Sequence, residues 1–453
     1  MQGAFITTGV REWQIFQQNE HGFAKITVSG TWEAEGCENP NVFLTVKRED
    51  TMEPIIWWKR CERENQEWHV DVEIPAGGLY MVETCLVKND DSWSEWALRG
   101  DIVSHIGVGD LYVIAGQSNS AGYGKDYIYD PCEMGVHILK NDREWHLAQH
   151  PLQDSSGAEN PVNADEGNVG HSLYLAFAKY LKRDLNYPIG LIQTSQGGTG
   201  IDTWLPGNRL YLNMFDRIND AGGKVKGIVW YQGCTDCRED KCKLYEEKFI
   251  QFRKAVIEQL GAKTIPFFVF QLNRNCALTD GQEDVYWGTV REQQRRLSAL
   301  DNTYVIPTTD CVLSDFVHNS AKANCALGER LAKTVLTHTY GKNYLCDAPN
   351  IKSVKKVEDD TVIATFENVY DKLELFWCEG KKLAFTAEDE NGVADVSEYE
   401  LKAENEVRLR FERNLSDNAV LHGAYTKNLG QLIPFDFATH LPMLSFYGIN
   451  IEK

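Results

Sequence analysis

The chain has 453 residues, 43% of them apolar and 25% charged, with a formal net charge of −20. Such a length exceeds one ordinary core and points to two or three domains. The acidic balance argues against a nucleic acid or an anionic membrane surface as partner. No segment approaches the ~20 apolar residues of a membrane span. The opening MQGAFITTGVREWQ has no basic n-region followed by an apolar h-region, and the 12 cysteines are scattered without a short-domain framework. Reduced thiols and a cytoplasmic location are therefore expected.

Residues 1–105 read as a β-sandwich-like domain. FAKITVSGTW, NVFLTVKRED, PIIWWKRC, EWHVDVEIP and GLYMVETCLV are short, rich in β-branched or aromatic residues, and punctuated by Gly, Pro, Asn and Asp. Trp68, Val70, Val72 and Ile74 alternate with polar residues. Residues 106–345 change character. LYVIA, PIGLIQ, GIVWYQ, PFFVFQL and TYVIPTT are apolar on both faces, as buried parallel strands are. Between them Leu173, Phe177 and Leu181, and then Tyr245, Phe249, Phe252, Val256 and Leu260, recur at helical spacing. Alternating strand and helix predicts an α/β domain with a parallel sheet. Residues 346–453 return to β-rich patterning in TVIATFENV, KLELFWCEG, EVRLRFE and AVLHGAY.

A parallel sheet binds its ligand at the carboxyl ends of its strands. After LYVIA come Gly116, Gln117, Ser118 and Asn119. After GLIQT come Ser195, Gln196, Gly197, Gly198 and Thr199, then Asp202 and Trp204. Gln232 and Gly233 follow GIVWY, and Asp315 and His318 follow TYVIPTTD. Singly these are turn residues, helix caps and satisfied amides. Together, in chain order at one sheet edge, they meet the needs of acyl transfer. A hydroxyl needs a base, the base needs an orienting carboxylate, and the tetrahedral intermediate needs donors for its oxyanion. Two other motifs fall away. GYGKD lacks the Ser/Thr of a phosphate loop, and Ser120 breaks a G-x-S-x-G elbow.

GQSN after an apolar strand, GGT with a nearby Trp, WYQG and D-x-x-H in this order resemble the SGNH-hydrolase superfamily, in its branch of sialate O-acetylesterases and related carbohydrate acetylesterases. The resemblance spans the middle region and extends weakly into EIPAGGLYMV and AVLHGAYTKNLGQLIPF. It implies a flavodoxin-like three-layer α/β/α domain flanked by the two β-rich domains. It also implies Ser118 as nucleophile, His318 as general base and Asp315 as its orienting acid. The implied oxyanion donors are the N–H groups of Ser118 and Gly198 and the side chain of Gln232. Gln117, Asn119, Trp204, Tyr231 and Arg274 become candidate substrate contacts, Arg274 for a sialic-acid carboxylate.

The chain departs from that pattern in two places. Cys234 stands where the family usually carries an acid after WYQG, with Thr235 and Asp236 close by. Asp310 rivals Asp315 as the triad acid, and the D-x-x-H spacing favours Asp315. Cys234, Cys237 and Cys242 lack a fourth partner at zinc-site spacing, so no metal is expected, and the chemistry calls for no cofactor. The expected activity is removal of an O-acetyl group from sialic acid or an acetylated oligosaccharide. A glycan-binding protein with a degenerate esterase domain and a lipase or thioesterase are the rivals. The flanking β domains also offer surfaces for a homo-oligomer.

Overall fold

The computed structural model describes residues 2–37, 39–88, 97–155, 161–165, 169–277, 282–375 and 382–453. Its centre is a mixed sheet of β1 (Leu98–Gly116), β2 (Val136–Leu139), β3 (Trp145–Leu147), β4 (Ile189–Gln193), β5 (Gly227–Tyr231), β6 (Phe267–Phe270) and β7 (Thr303–Ile306). The spatial order is β3-β2-β4-β1-β5-β6-β7, parallel throughout except for β3 at the edge. Every residue of β4, β5 and β6 is buried, which is why these runs are apolar without alternation.

Among the described residues, six α-helices accompany the sheet: α1 (Ser118–Ala121), α2 (Tyr174–Leu185), α3 (Arg209–Asp220), α4 (Tyr245–Gln259), α5 (Gln282–Arg296) and α6 (Ala321–Tyr340). α2 packs on α6, while α4 packs on α5 and shares with α3 the short turn Ile201–Trp204. Tyr245, Phe249, Phe252 and Val256 form the buried face of α4, as their spacing predicts. No helix among the described residues is long and apolar enough to cross a membrane.

β1 runs through two cores. Its first half pairs antiparallel with Gly77–Val87, and its second half pairs parallel with β4 and β5. Ile106 and Val108 belong to the N-terminal core, and Leu111 to Ala115 to the central one. The N-terminal core also takes Trp68, Val70, Val72 and Ile74 from Glu67–Pro75, whose intervening residues are exposed. A seven-stranded antiparallel sheet between Asn350 and Asn450 has a separate core. Within KLELFWCEG only the start is seen, as the pair Leu373–Glu374, because residues 376–381 lie outside the described ones.

Arg291 of α5 joins the C-terminal sheet to the central domain. It is fully buried and has no carboxylate partner among the described residues; instead it donates to five carbonyls. Nε reaches Leu272 at 2.9 Å, Nη2 reaches Asn273 at 2.8 Å, and Nη1 reaches Ala424, Tyr425 and Thr426 at 3.2, 3.3 and 2.8 Å. Burial pulls its pKa down to about 10, still charged at neutral pH. Arg291→Met leaves the Leu272, Tyr425 and Thr426 carbonyls without this donor, while Asn273 O keeps Trp287 Nε1 and Ala424 O keeps Ser445 Oγ, and is expected to cost about 3–5 kcal/mol. Thermal melting checks this, and a melting temperature unchanged from the wild type would refute it.

Candidate active site

Gly116 ends β1 at φ +134°, and a Cβ there would lie 2.3 Å from the carbonyl oxygen of Tyr231 on β5. Only glycine allows that approach. The Gln117 N–H then donates to the same Tyr231 oxygen at 3.0 Å, and the chain turns into α1 with Ser118 as its first residue. As the first residue of a helix, Ser118 has an N–H without an intrahelical acceptor. Among the described residues that N–H and the N–H of Gly198 donate no hydrogen bond. Gly198 adopts φ +69° in a turn whose preceding N–H, at Gly197, donates to both oxygens of Asp165 at 3.0 and 3.1 Å.

His318 completes the site. Its Nε2 lies 2.9 Å from Ser118 Oγ and its Nδ1 2.7 Å from Asp315 Oδ2. The D-x-x-H spacing has a local cause, because Asp315 Oδ1 accepts the N–H groups of Val317 and His318, both at 2.8 Å. That Asx-type turn brings the carboxylate and the imidazole of one short segment face to face. Burial opposes the charge on Asp315, but the Val317 N–H and the ring and N–H of His318 outweigh it and hold the carboxyl below its usual range. Asp310 is engaged elsewhere, in a two-pronged ion pair with Arg330. The Tyr123 ring packs on the imidazole, with centroids 4.8 Å apart.

The amides expected to touch substrate hold the frame instead. Asn119 is buried; its Nδ2 donates to Val317 O at 3.1 Å and its Oδ1 accepts the Asn319 N–H at 2.9 Å. It therefore grips the backbone on either side of His318. Gln117 Oε1 accepts the N–H groups of Gly233 at 3.0 Å and Thr235 at 3.4 Å. Gln232 is fully buried, and its Nε2 donates to Thr199 O at 3.0 Å and Asp236 Oδ2 at 2.5 Å. Its two amide hydrogens are thus committed to the walls of the site, not aimed at an oxyanion. Trp204 and Tyr231 are core residues rather than pocket walls, Trp204 edge-to-face with Trp230 and Tyr231 stacked on Phe270. Arg274 is half-buried, with Nη2 3.4 Å from Cys311 O.

Several contributors carry no sequence signal of their own. Asp165 and Tyr123 act through the fold, and Asn273 donates to Asn319 Oδ1 at 2.6 Å from the end of β6. Asp236, fully buried, accepts the Ile201 N–H at 3.0 Å, and burial pushes its carboxyl up. Burial likewise pushes the Cys234 thiol to about 12, so it is a protonated packing group at neutral pH.

Asp130, His150 and His171 offer metal-type donors close together. The hydrogen-bond partners of the two histidines argue against a metal. Ser172 N–H donates to His150 Nδ1 at 3.3 Å, which leaves the proton on Nε2 facing Asp130 Oδ2 at 3.0 Å, and His171 Nδ1 is buried without an acceptor among the described residues. The Lys179 ammonium already neutralises Asp130. The cluster is a buried ion-pair network.

A serine, histidine and aspartate bonded in series at the end of a parallel sheet, beside two unpaired N–H groups, is the arrangement of serine hydrolases. Residues 108–337 match the model of the carbohydrate esterase, sialic acid-specific acetylesterase family, and the chain belongs to that family. It is a carbohydrate esterase, and the family implies an acetylated carbohydrate as substrate. A carbohydrate acetylesterase from Xanthomonas citri shares the fold over 98% of this chain and 99% of that one, with a TM-score of 0.66 and 19% identity. A protein from Arabidopsis thaliana is 26% identical over 50% of this chain and 98% of its own, with a TM-score of 0.44. Comparison with curated proteins gave no match.

Two outcomes follow. Asn119→Ala frees the segment that carries His318 and is expected to lower kcat by about 10- to 100-fold with little change in KM, since misplacement by an ångström costs that much. Steady-state kinetics on an acetyl ester checks it. Burial holds the His150 pKa below its ordinary value, so the unfolded chain takes up a proton there before the folded chain does. Stability is therefore full above about pH 6.5 and falls as pH drops from there through the lowered folded value. His150→Gln should flatten the loss of melting temperature between pH 7.5 and 5.5.

Proposed function

We propose that the chain is a serine esterase that removes an acetyl group from a sugar hydroxyl through an acetyl-serine intermediate. The observation that carries this reading is the unbroken series Ser118, His318, Asp315, with contacts of 2.9 and 2.7 Å. His318 takes the Ser118 proton, and Oγ attacks the acetyl carbonyl. The developing oxyanion is met by the N–H groups of Ser118 and Gly198. Gln232 serves them indirectly, because its bond to Thr199 O fixes the Gly198 turn. His318 then gives the proton to the departing sugar oxygen, and water cleaves the acetyl-serine by the same route in reverse. Asp315 keeps the imidazole in the tautomer with Nδ1–H and stabilises its charged form.

The scaffold in this reading is the three-layer, flavodoxin-like SGNH domain of residues 106–345, between a β-sandwich-like domain at 1–105 and a β-rich domain at 346–453. The strand order supports it. Without its edge pair β3 and β2, the sheet reads β4-β1-β5-β6-β7, which is the 2-1-3-4-5 order of that fold.

Acetate release from O-acetylated sialic acid, acetylated xylo-oligosaccharides and a generic acetyl ester tests the reading. Ser118→Ala should abolish release on all three. Asp315→Asn should lower kcat by about 10³- to 10⁴-fold, as loss of the orienting carboxylate does in triads. Asp310→Asn should instead keep kcat within a few-fold and lower the melting temperature. Release that survives Ser118→Ala would sink the mechanism.

A further inference from the structure

Phe316 stands between Asp315 and His318 and is 57% exposed. Its position is fixed from three sides. Asp315 Oδ1 holds the N–H groups of Val317 and His318 at 2.8 Å. Asn119 holds Val317 O at 3.1 Å, and the Cys276 N–H holds Phe316 O at 2.7 Å. All of these bonds to the segment use backbone atoms, so the turn itself does not require an aromatic side chain at 316. Val317, next to it, packs against the central core, whereas more than half of Phe316 is left to solvent. The ring is nevertheless beside the reacting groups, with its centroid 6.4 Å from that of His318 and the planes inclined at 50°.

A large apolar ring kept exposed on a rigid turn forgoes the gain of burial until a partner covers it. An aromatic ring with few rotatable bonds also loses little entropy when covered. The partner must present a flat apolar surface within one ring's width of an ester held at Ser118. A pyranose presents such a surface on its C–H face while its hydroxyl edges stay in water. A long acyl chain needs a closed apolar groove, whereas this ring is largely exposed and adjoins the charged Asp315.

We propose that Phe316 is a specificity-determining residue on which the pyranose ring carrying the acetyl ester stacks. This rests on the esterase reading above only for the identity of the reacting group. The test separates binding from turnover. In the Ser118→Ala background, calorimetry with acetylated xylo-oligosaccharide and with O-acetylated sialic acid measures affinity without hydrolysis. Adding Phe316→Ala should weaken the better-bound sugar about fivefold or more, within the range of a stacked ring contact, and Phe316→Trp should restore it. In the active chain, Phe316→Ala should raise KM for that sugar far more than it lowers kcat. Its loss in kcat/KM should be at least fivefold larger on the sugar than on 4-nitrophenyl acetate. Equal dissociation constants, no binding of either sugar, or equal losses on the sugar and the small ester would each overturn the proposal; the last would mean that the ring only props His318. Sugar binding that depends on Phe316 in a wild-type chain releasing no acetate would uphold the stacking and sink the esterase reading alone.

Discussion

The approach of Gly116 to the Tyr231 carbonyl is the constraint on which the site depends. A Cβ at Gly116 would sit 2.3 Å from that oxygen, so any other residue pushes the end of β1 away from the end of β5. That one contact decides where the chain leaves the sheet and hence where Ser118 stands. The consequences run outward in short steps. Gln117, next in sequence, reaches the loop after β5, and Asn119 reaches the segment around His318. A four-residue stretch thus registers the nucleophile against two other strand ends.

Amides do most of this registration, and their chemistry explains why. A primary amide donates and accepts at once, so one buried side chain can tie two backbone segments without adding net charge to the interior. Each bond contributes about 0.5–1.5 kcal/mol, while an unmet partner costs about 1–3 kcal/mol. Gln117, Asn119, Gln232, Asn273, Gln294 and Asn319 form such a layer between the sheet and the reacting groups. Gln294 extends it downward, donating to Gln232 O at 2.9 Å and accepting the Leu272 N–H at 2.9 Å. The layer's rigidity lets Ser118, His318 and Asp315 sit in line without any of them being part of the core.

The sequence shows the strands, the helical faces and the polar residues at strand ends because each leaves a local pattern. Apolar runs without alternation marked β4, β5 and β6, and D-x-x-H marked a turn that its own carboxylate closes. What it hides is direction. Trp204 and Tyr231 follow or end strands like the reacting residues, yet their rings turn inward onto Trp230 and Phe270. Asn119 and Gln117 look like ligand contacts because exposed amides are, and only burial reveals them as struts. Asp165 comes from a distant loop to meet Gly197, and no spacing rule links two such segments. β1 is a further case. Its 19 residues read as the end of one domain and the start of another, while the backbone runs straight through both cores.

The same logic accounts for Cys234, at the position after WYQG where the resemblance leads one to expect an acid. A carboxylate at that place would serve to tie the loop after β5 to its neighbours. Here Asp236, two residues on, accepts the Ile201 N–H and the Gln232 amide, so the tie is made from a different position on the same turn. The Cys234 thiol then needs only to fill space, and burial keeps it protonated. The shift has an electrostatic cost, because Asp236 is fully buried, has an oxygen without a donor and has its carboxyl pushed up. What the site requires at this point is an acceptor between the Gly200–Ile201 turn and Gln232. The backbone of the loop after β5 allows more than one residue to supply it.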